Sequence, residues 1–278
     1  MKKIITALFV LTLTAGISYA QDLAQATEMF NNAANALNSG DKTAALDQFK
    51  AVLPIAESLG EEGTAIVENC KKYIPQVNLS IAKDFFKDSD MDSAIAVLKE
   101  SAGLAEGYGN AEVAEEVASL LPQFLLQKGN TLFSAKDFAN AAEAYREAAG
   151  LDPENGVLLL RLGMALAGLG KTEEAVESYK KAAQFGQEAT ANKQLSTIFL
   201  KKAAAFLSSG NFEGALDAAK ESLGFLPNAT AYKVAGNAAA KLKDYKGAAE
   251  MFTKYLELSP NAKDAAQTKA NIEAFLKL

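Results

Sequence analysis

A pattern that recurs about every 34 residues constrains the fold of this chain more than any other feature of its sequence. In each copy, a small residue is followed by a short polar turn, an alanine, an aromatic or small residue four positions later, and a closing turn. The alanine occurs at Ala141, Ala175, Ala215 and Ala248, with spacings of 34, 40 and 33 residues. This period is typical of stacked helical hairpins that bury their apolar faces against one another. The sequence therefore predicts an all-α repeat array.

The residues that recur are those that two closely packed helices need. A small residue on helix A and the alanine on helix B let the two axes approach. A large residue before helix B covers the end of the hairpin, and an aromatic residue four positions beyond the alanine shares its helical face. Proline closes most copies because it cannot continue a helix. The small residues are Gly129, Gly163, Ala203 and Gly236, the covering residues Phe138, Phe212 and Tyr245, the aromatic residues Tyr145, Tyr179 and Phe252, and the prolines Pro153, Pro227 and Pro260.

The first twenty residues have the layout of a secretory signal peptide. Lys2 and Lys3 precede an apolar run over residues 4–13, and small residues at Ser18 and Ala20 stand three back and one back from a break before Gln21. An uncleaved N-terminal anchor is the alternative, although the segment is short for a bilayer core of about 30 Å. We expect cleavage of residues 1–20 and export of the remainder to a Gram-negative periplasm or outside the cell.

Composition excludes some classes of partner. The chain has a net charge of −6, which becomes −8 when Lys2 and Lys3 are removed with the signal peptide. Nucleic-acid binding requires a basic stripe, and anionic membrane surfaces also repel an acidic protein. The sequence therefore predicts no nucleic-acid partner. It also predicts no transmembrane span in the mature chain, because no run after residue 20 is apolar enough to cross a bilayer.

Taken together, the four copies resemble the tetratricopeptide repeat. The last copy matches this family best, through Tyr232, Ala235, Gly236, Ala239, Tyr245, Ala248, Phe252 and Pro260. The resemblance implies a right-handed superhelical solenoid of antiparallel helix pairs, whose concave wall is lined by the A helices. It covers residues 122–260, and similar but longer units lie upstream around Ala45 and Ala94.

The upstream units have longer spacings, 49 residues from Ala45 to Ala94 and 47 from Ala94 to Ala141. The additional residues have helical character and contain Pro75 and Pro122 at matching places. They predict long first helices that are kinked or restarted at proline, or else two short helices in each unit. The whole chain is expected to form about six hairpins plus a C-terminal capping helix.

The expected organisation is a signal peptide at residues 1–20, two divergent units at 21–107, and a regular four-unit array at 108–278 that ends in a capping helix at 262–278. In the family, helix A residues one turn apart face the groove. The resemblance therefore implies a partner-binding groove formed by Gln76, Leu79, Lys83, Gln123, Leu126, Asn130, Val157, Leu160, Met164, Thr197, Leu200, Ala204, Thr230, Lys233 and Asn237. Lys233 and Asn237 resemble part of a carboxylate clamp, although the companion positions in other units do not match. The alternatives are solvated faces for the polar positions and core for the apolar ones.

Catalytic and metal-binding patterns are weak in this sequence. The absence of histidine removes the Ser-His-Asp and Cys-His arrangements and the commonest zinc ligand. The GLGK segment at residues 168–171 resembles a phosphate loop, but it occupies a repeat turn after a predicted helix rather than a strand. Alternating acids at residues 88–92 lack the glycine and distal glutamate of a calcium loop.

The single cysteine, Cys70, is predicted to be a buried apolar residue, with an intermolecular disulfide or a reactive thiol as alternatives. We therefore expect no enzyme activity, no cofactor and no metal.

These features predict an exported protein-interaction scaffold that binds a peptide or a helix of an envelope protein in the concave groove. A self-assembling, oligomeric repeat protein of the cell envelope is one alternative. A glycan-binding module is another, which the absence of tryptophan makes weaker.

Overall fold

The structure of this chain is a computed structural model that describes residues 17–278, with side chains described from Gln21 onward. The predicted signal peptide at residues 1–20 lies outside this range except for four residues at the start of the first helix. The described residues contain helices and turns but no strand. The helices are α1 (Ile17–Ser39), α2 (Lys42–Ser58), α3 (Thr64–Lys87), α4 (Met91–Gly107), α5 (Ala111–Ser134), α6 (Phe138–Leu151), α7 (Gly156–Gly168), α8 (Thr172–Ala182), α9 (Glu188–Ser208), α10 (Phe212–Phe225), α11 (Ala229–Lys241), α12 (Tyr245–Leu258) and α13 (Ala265–Phe275).

The chain divides into two compact units, at Thr131 and Leu132 inside α5. In unit 1, α1 packs on α2, α2 on α3, and α3 on α4. In unit 2, each helix from α6 to α13 packs on the one that follows it. The predicted all-α architecture of successive helix pairs is therefore confirmed. The predicted boundary at residue 107 separates units with a long repeat spacing from units with a regular spacing. The boundary inside α5 instead separates two groups of helices, each packed within itself.

The alanines that mark the repeat are core residues. Ala45, Ala94, Ala141, Ala175, Ala215 and Ala248 are all fully buried. Two small residues of the A helices allow an aromatic ring from helix B to lie against the backbone. A β-carbon added at Gly163 would come within 2.8 Å of the Tyr179 ring, and one at Gly236 within 2.9 Å of the Phe252 ring. The small residues at these positions therefore have the predicted role.

Pro75 and Pro122 lie inside uninterrupted helices, α3 and α5, each 24 residues long. The alternative of two short helices in each unit is therefore wrong. Each helix extends eleven residues before its proline, which accounts for most of the longer spacing of the upstream alanines. Unit 2 has a smaller extension of the same kind, because α9 has 21 residues whereas α7 and α11 have 13. This long helix coincides with the 40-residue spacing between Ala175 and Ala215.

The turn between helices A and B has the same geometry in all six hairpins. A residue with positive φ is followed by the residue that precedes helix B, whose N–H donates to a carbonyl five residues back. This is the hydrogen bond of a helix C-terminus that ends in the left-handed conformation. The residues with positive φ are Gly40, Ser89, Lys136, Gly170, Gly210 and Lys243.

Helix α13 lies where the capping helix is predicted. Phe275 stacks on Tyr245 and Phe252 with ring centroids 5.5 and 6.3 Å apart, and Ile272 packs in the same cluster. These contacts cover the apolar side of α12.

Candidate protein-interaction surface

The groove predicted from the family resemblance has three positions on each A helix, spaced by one turn. The first position is exposed on four of the five helices. These residues are Gln123, Val157, Thr197 and Thr230, and Val157 is 40% exposed. Gln76, the first position on α3, is half-buried. The first position is therefore open to a partner in both units.

The second position lies deeper. Leu79 and Leu160 are only 4% and 8% exposed, so their side chains belong to the core, as the alternative interpretation of the apolar positions holds. Leu126 and Leu200 are half-buried, and Leu200 packs against a cluster around Ala203 and Val234. The second position therefore supports the wall of the array more than it offers an open apolar surface.

The third position is mixed. Lys83 on α3 pairs with Glu116 on α5 at 2.5 Å, within unit 1. Asn130 and Met164 are half-buried, whereas Ala204 is exposed. Asn237 borders a cavity of about 340 Å³ in unit 2. The cavity is lined by Leu207, Phe212, Asn237, Ala240, Lys241, Phe252, Asn271 and Phe275. The predicted residues therefore include open, supporting and ion-paired positions.

Lys233 is held by a carboxylate of the same chain. Its ammonium group lies 2.7 Å from Asp264 Oδ2 and 5.5 Å above the centre of the Tyr255 ring. The Tyr255 hydroxyl donates to Asp264 Oδ1 at 2.6 Å. The hydrogen bond from Lys233, followed by that from Tyr255, lowers the pKa of Asp264, and the bond to Asp264 raises the pKa of Lys233. Lys233 therefore already binds a carboxylate, and that carboxylate belongs to the segment before α13.

Sequence reasoning missed this interaction because Asp264 is 31 residues beyond Lys233 and carries no repeat signal. The family resemblance made Lys233 part of a possible carboxylate clamp, with a solvated helix face as the alternative, but nothing in the pattern indicated a carboxylate of the same chain. Only the packing of α13 against α12 brings Asp264 to it.

The two patterns that resemble ligand-binding loops are repeat turns. The GLGK segment follows α7, a helix, and its Lys171 pairs with Glu174 at 3.2 Å. Glu173 and Glu174 also line the cavity beside it, where they would repel a phosphate. Asp90 caps α4 by accepting a hydrogen bond from the Ser93 N–H, and Asp92 pairs with Lys128 at 2.6 Å. These residues therefore stabilise helices and helix contacts.

Cys70 is fully buried in α3 and forms no disulfide. Burial raises the pKa of its thiol from 9.0 to about 12, which disfavours the reactive thiolate. This environment agrees with the prediction of a buried apolar residue.

The described residues lack two other features, a cluster that could hold a metal ion and a helix that could span a membrane. From residue 17 to residue 278, there is no group of three or more Cys, Asp or Glu side chains arranged to hold a metal ion. Within the same range, none of the helices is both long and apolar enough to cross a membrane.

Comparison with known proteins identifies the repeats. The tetratricopeptide repeat family model matches residues 126–190 and 200–263. Among curated proteins, Protein STIP1 homolog of Dictyostelium discoideum is 31% identical over 96 residues, which are 34% of this chain and 16% of that protein. The chain thus spans about a sixth of the length of this relative.

Solved structures of low sequence identity also resemble the chain. The crystal structure of MamA protein is 20% identical, with a TM-score of 0.38 over 69% of this chain and 94% of that one. The structure of YrrB, described as a TPR protein with an unusual peptide-binding site, is also 20% identical, with a TM-score of 0.38 over 74% of this chain and 96% of that one. The family-model matches, with the helix pairs and the buried repeat alanines, are the evidence of identity: the chain is a tetratricopeptide repeat protein.

Proposed function

We propose that this chain is a non-enzymatic scaffold that is exported through a cleavable signal peptide and binds a peptide or a helix of an envelope protein. The tetratricopeptide repeat family supports the coarser part of this statement, an interaction scaffold. The sequence layout of residues 1–20 is the support for export to the periplasm or the exterior.

One structural observation carries the proposal. In unit 2, the first groove position is exposed on α7, α9 and α11, although the residues around it are packed. Side chains that stay exposed at the same place in successive repeats of this unit form a row in which each repeat can contribute one contact. A peptide or a helix can use such a row because its own side chains also recur at regular intervals.

Site-specific photocrosslinking in the native cell envelope tests this proposal. A photoreactive amino acid replaces Thr197 on α9 in one variant and Glu177 on helix B, α8, in a matched control; both residues are exposed. We expect a single crosslinked protein, itself carrying a signal peptide, from position 197 and none from position 177. The purified partner should then bind the full chain in solution.

Three other outcomes would contradict the proposal. Equal crosslinking from both positions would show that the partner does not bind specifically to the A-helix surface. A crosslink from position 197 to a second copy of the chain would favour self-assembly. A partner confined to the cytoplasm would contradict export.

A further inference from the structure

Charge is distributed unevenly between the A and B helices of unit 2. The A helices α7, α9 and α11 carry six cationic side chains and one carboxylate. The B helices α6, α8, α10 and α12 carry ten carboxylates and six cationic side chains. An acidic chain that collects cations on its A helices has a surface complementary to anionic partners. The cationic residues are Arg161, Lys193, Lys201, Lys202, Lys233 and Lys241.

Most of these cations have no internal counter-ion. Among the described residues, Lys193, Lys201 and Lys241 form no ion pair within 4 Å, and all three are exposed. Lys202, on the other side of α9, lies 5.7 Å above the centre of the Phe206 ring. The one carboxylate on these A helices, Glu188 on α9, forms no ion pair with them, so this charge remains available to a partner.

The lysines form two similar stripes on neighbouring helices. On α9 the stripe is Lys193, Thr197 and Lys201, and on α11 it is Lys233, Asn237 and Lys241. In both, residues four apart place lysine, a small polar side chain and lysine along one face. Because α9 and α11 contact each other, the two stripes belong to adjacent helices.

The α11 stripe already shows how a carboxylate binds. The segment between α12 and α13 places Asp264 against Lys233 at 2.7 Å, with the Tyr255 hydroxyl on the other carboxylate oxygen. The α9 stripe also carries two lysines, and neither is paired with a carboxylate of the described residues. We propose that it binds an extended acidic peptide, an inference that rests on the proposed function and specifies its ligand.

Spacing defines the peptide further. Eight residues of helix place Lys193 and Lys201 about 12 Å apart along the axis of α9. An extended chain advances about 3.3 Å per residue, so two acidic residues four positions apart span about 13 Å and reach both lysines. Leu200, half-buried beside the stripe, would meet an apolar side chain between the two acids. The ligand is therefore an extended segment with acids at that spacing. The acidic B helices and the net charge of −6 oppose a long polyanion such as nucleic acid.

Fluorescence anisotropy with defined probes tests the inference on the full chain. The probes are a labelled peptide of sequence GDSLSDG, its amide counterpart GNSLSNG, and a single-stranded DNA oligonucleotide. The variant is Lys193→Glu with Lys201→Glu. The matched control is Lys180→Glu with Lys220→Glu, which makes the same change of net charge at exposed residues of the B helices α8 and α10.

We expect GDSLSDG to bind and GNSLSNG to bind at least tenfold more weakly. The α9 double variant should lose at least tenfold in affinity for the acidic peptide, because two attractions become repulsions, and the control should change by less than about twofold. Circular dichroism and the unfolding midpoint should be the same for both variants, because all four positions are exposed.

Failure of this inference can be distinguished from failure of the proposed function. Three results would contradict the inference that the α9 stripe binds an acidic peptide. These are no binding of GDSLSDG up to 1 mM, equal binding of both peptides, and an equal loss of affinity in the control variant. Tighter binding of the oligonucleotide than of the peptide would do the same and would indicate a nucleic acid. If photocrosslinking at position 197 still identified one envelope protein whose contacting segment lacks acids, the scaffold would stand and only the ligand class would be wrong.

Discussion

At the scale of single residues, two adjacent positions determine each turn between helices A and B. The first has positive φ, and the second caps helix B. Five of the six capping residues are Asp or Asn, whose side-chain oxygen accepts a hydrogen bond from the N–H three residues later. Lys171 is the exception and makes no such side-chain bond. The turn before α8 therefore lacks one stabilising interaction that the other turns have.

Replacing Lys171 with asparagine should supply this missing cap. We expect Lys171→Asn to raise the free energy of unfolding by about 0.5–1 kcal/mol, because the loss of the exposed pair with Glu174 costs little. Urea unfolding followed by circular dichroism measures the change. The converse substitution, Asp137→Ala, should lower stability by about 1 kcal/mol. A decrease for Lys171→Asn would show that this turn does not depend on capping.

Glycines inside helices make a second test at this scale. Gly163→Ala should destabilise the protein because the added β-carbon would lie 2.8 Å from the Tyr179 ring, which is almost completely buried and cannot move freely. We expect a loss of about 1–3 kcal/mol. In the control, Gly224→Ala in α10, the new β-carbon meets nothing within 4 Å. Higher helix propensity should therefore make it neutral or stabilising by up to about 1 kcal/mol. Equal effects in thermal unfolding would contradict the close approach.

The Cys70 thiol gives a prediction about pH. Its pKa is about 12 in the folded protein and 9.0 in an unperturbed chain, so above pH 9 the unfolded state loses this proton first. Stability should therefore fall as pH rises from 9 to 12, and Cys70→Ala should remove that part of the slope. Alkylation by iodoacetamide at pH 8 should be far slower in the native protein than in urea. Rapid alkylation of the native protein would contradict the burial of Cys70.

At the scale of elements, the long A helices show how the array tolerates proline. Pro75 and Pro122 each remove one backbone donor, yet both are buried inside continuous helices. In α3, the Pro75 carbonyl accepts a hydrogen bond at 2.8 Å from Ser101 on α4, which is fully buried. A side chain of the neighbouring helix thus adds a tertiary hydrogen bond at the proline. The sequence pattern of α3 alone does not predict this bond, because the donor lies on α4.

Asp264 should determine how firmly α13 is attached. We expect Asp264→Asn to increase hydrogen exchange in α13 and to leave α9 and α10 unchanged, because the substitution removes the negative charge that binds Lys233 and Tyr255. In the wild type, the pKa of Asp264 is lowered by Lys233, so its contribution is present above the ordinary carboxyl pKa. It is lost as the pH falls below that value. Unchanged exchange in α13 would mean that Phe275 and Ile272 alone hold the helix.

At the scale of the whole molecule, stability should be local because each helix packs chiefly on its sequence neighbours. Phe49→Ala removes a fully buried ring from the core of α1, α2 and α3, a change that costs about 3–5 kcal/mol in a typical core. We expect faster hydrogen exchange in these helices and no change in α11 and α12. Equal acceleration in all helices would indicate a single cooperative unit instead.

The repeat pattern was enough to predict the helical class, the order of the helices and the residues of the close contacts. Ala175 and Gly163 have their roles because a repeated hairpin makes each copy repeat the same contacts, so agreement among copies identifies them. The prediction of a buried Cys70 also needed only the apolar character of its helix. The exposure of equivalent groove positions varies although the repeat does not, since Leu160 is buried whereas Leu200, at the same position of the next A helix, is half-buried.

Which polar residues are available to a partner depends on how the helices pack, and the repeat pattern does not contain that information. Lys233 and Lys201 are similar in sequence, but one is held by Asp264 and the other forms no ion pair among the described residues. Helix periodicity predicts which face a residue lies on, because backbone geometry repeats every 3.6 residues. It does not predict which distant side chain will reach that face, because that depends on how separate elements pack.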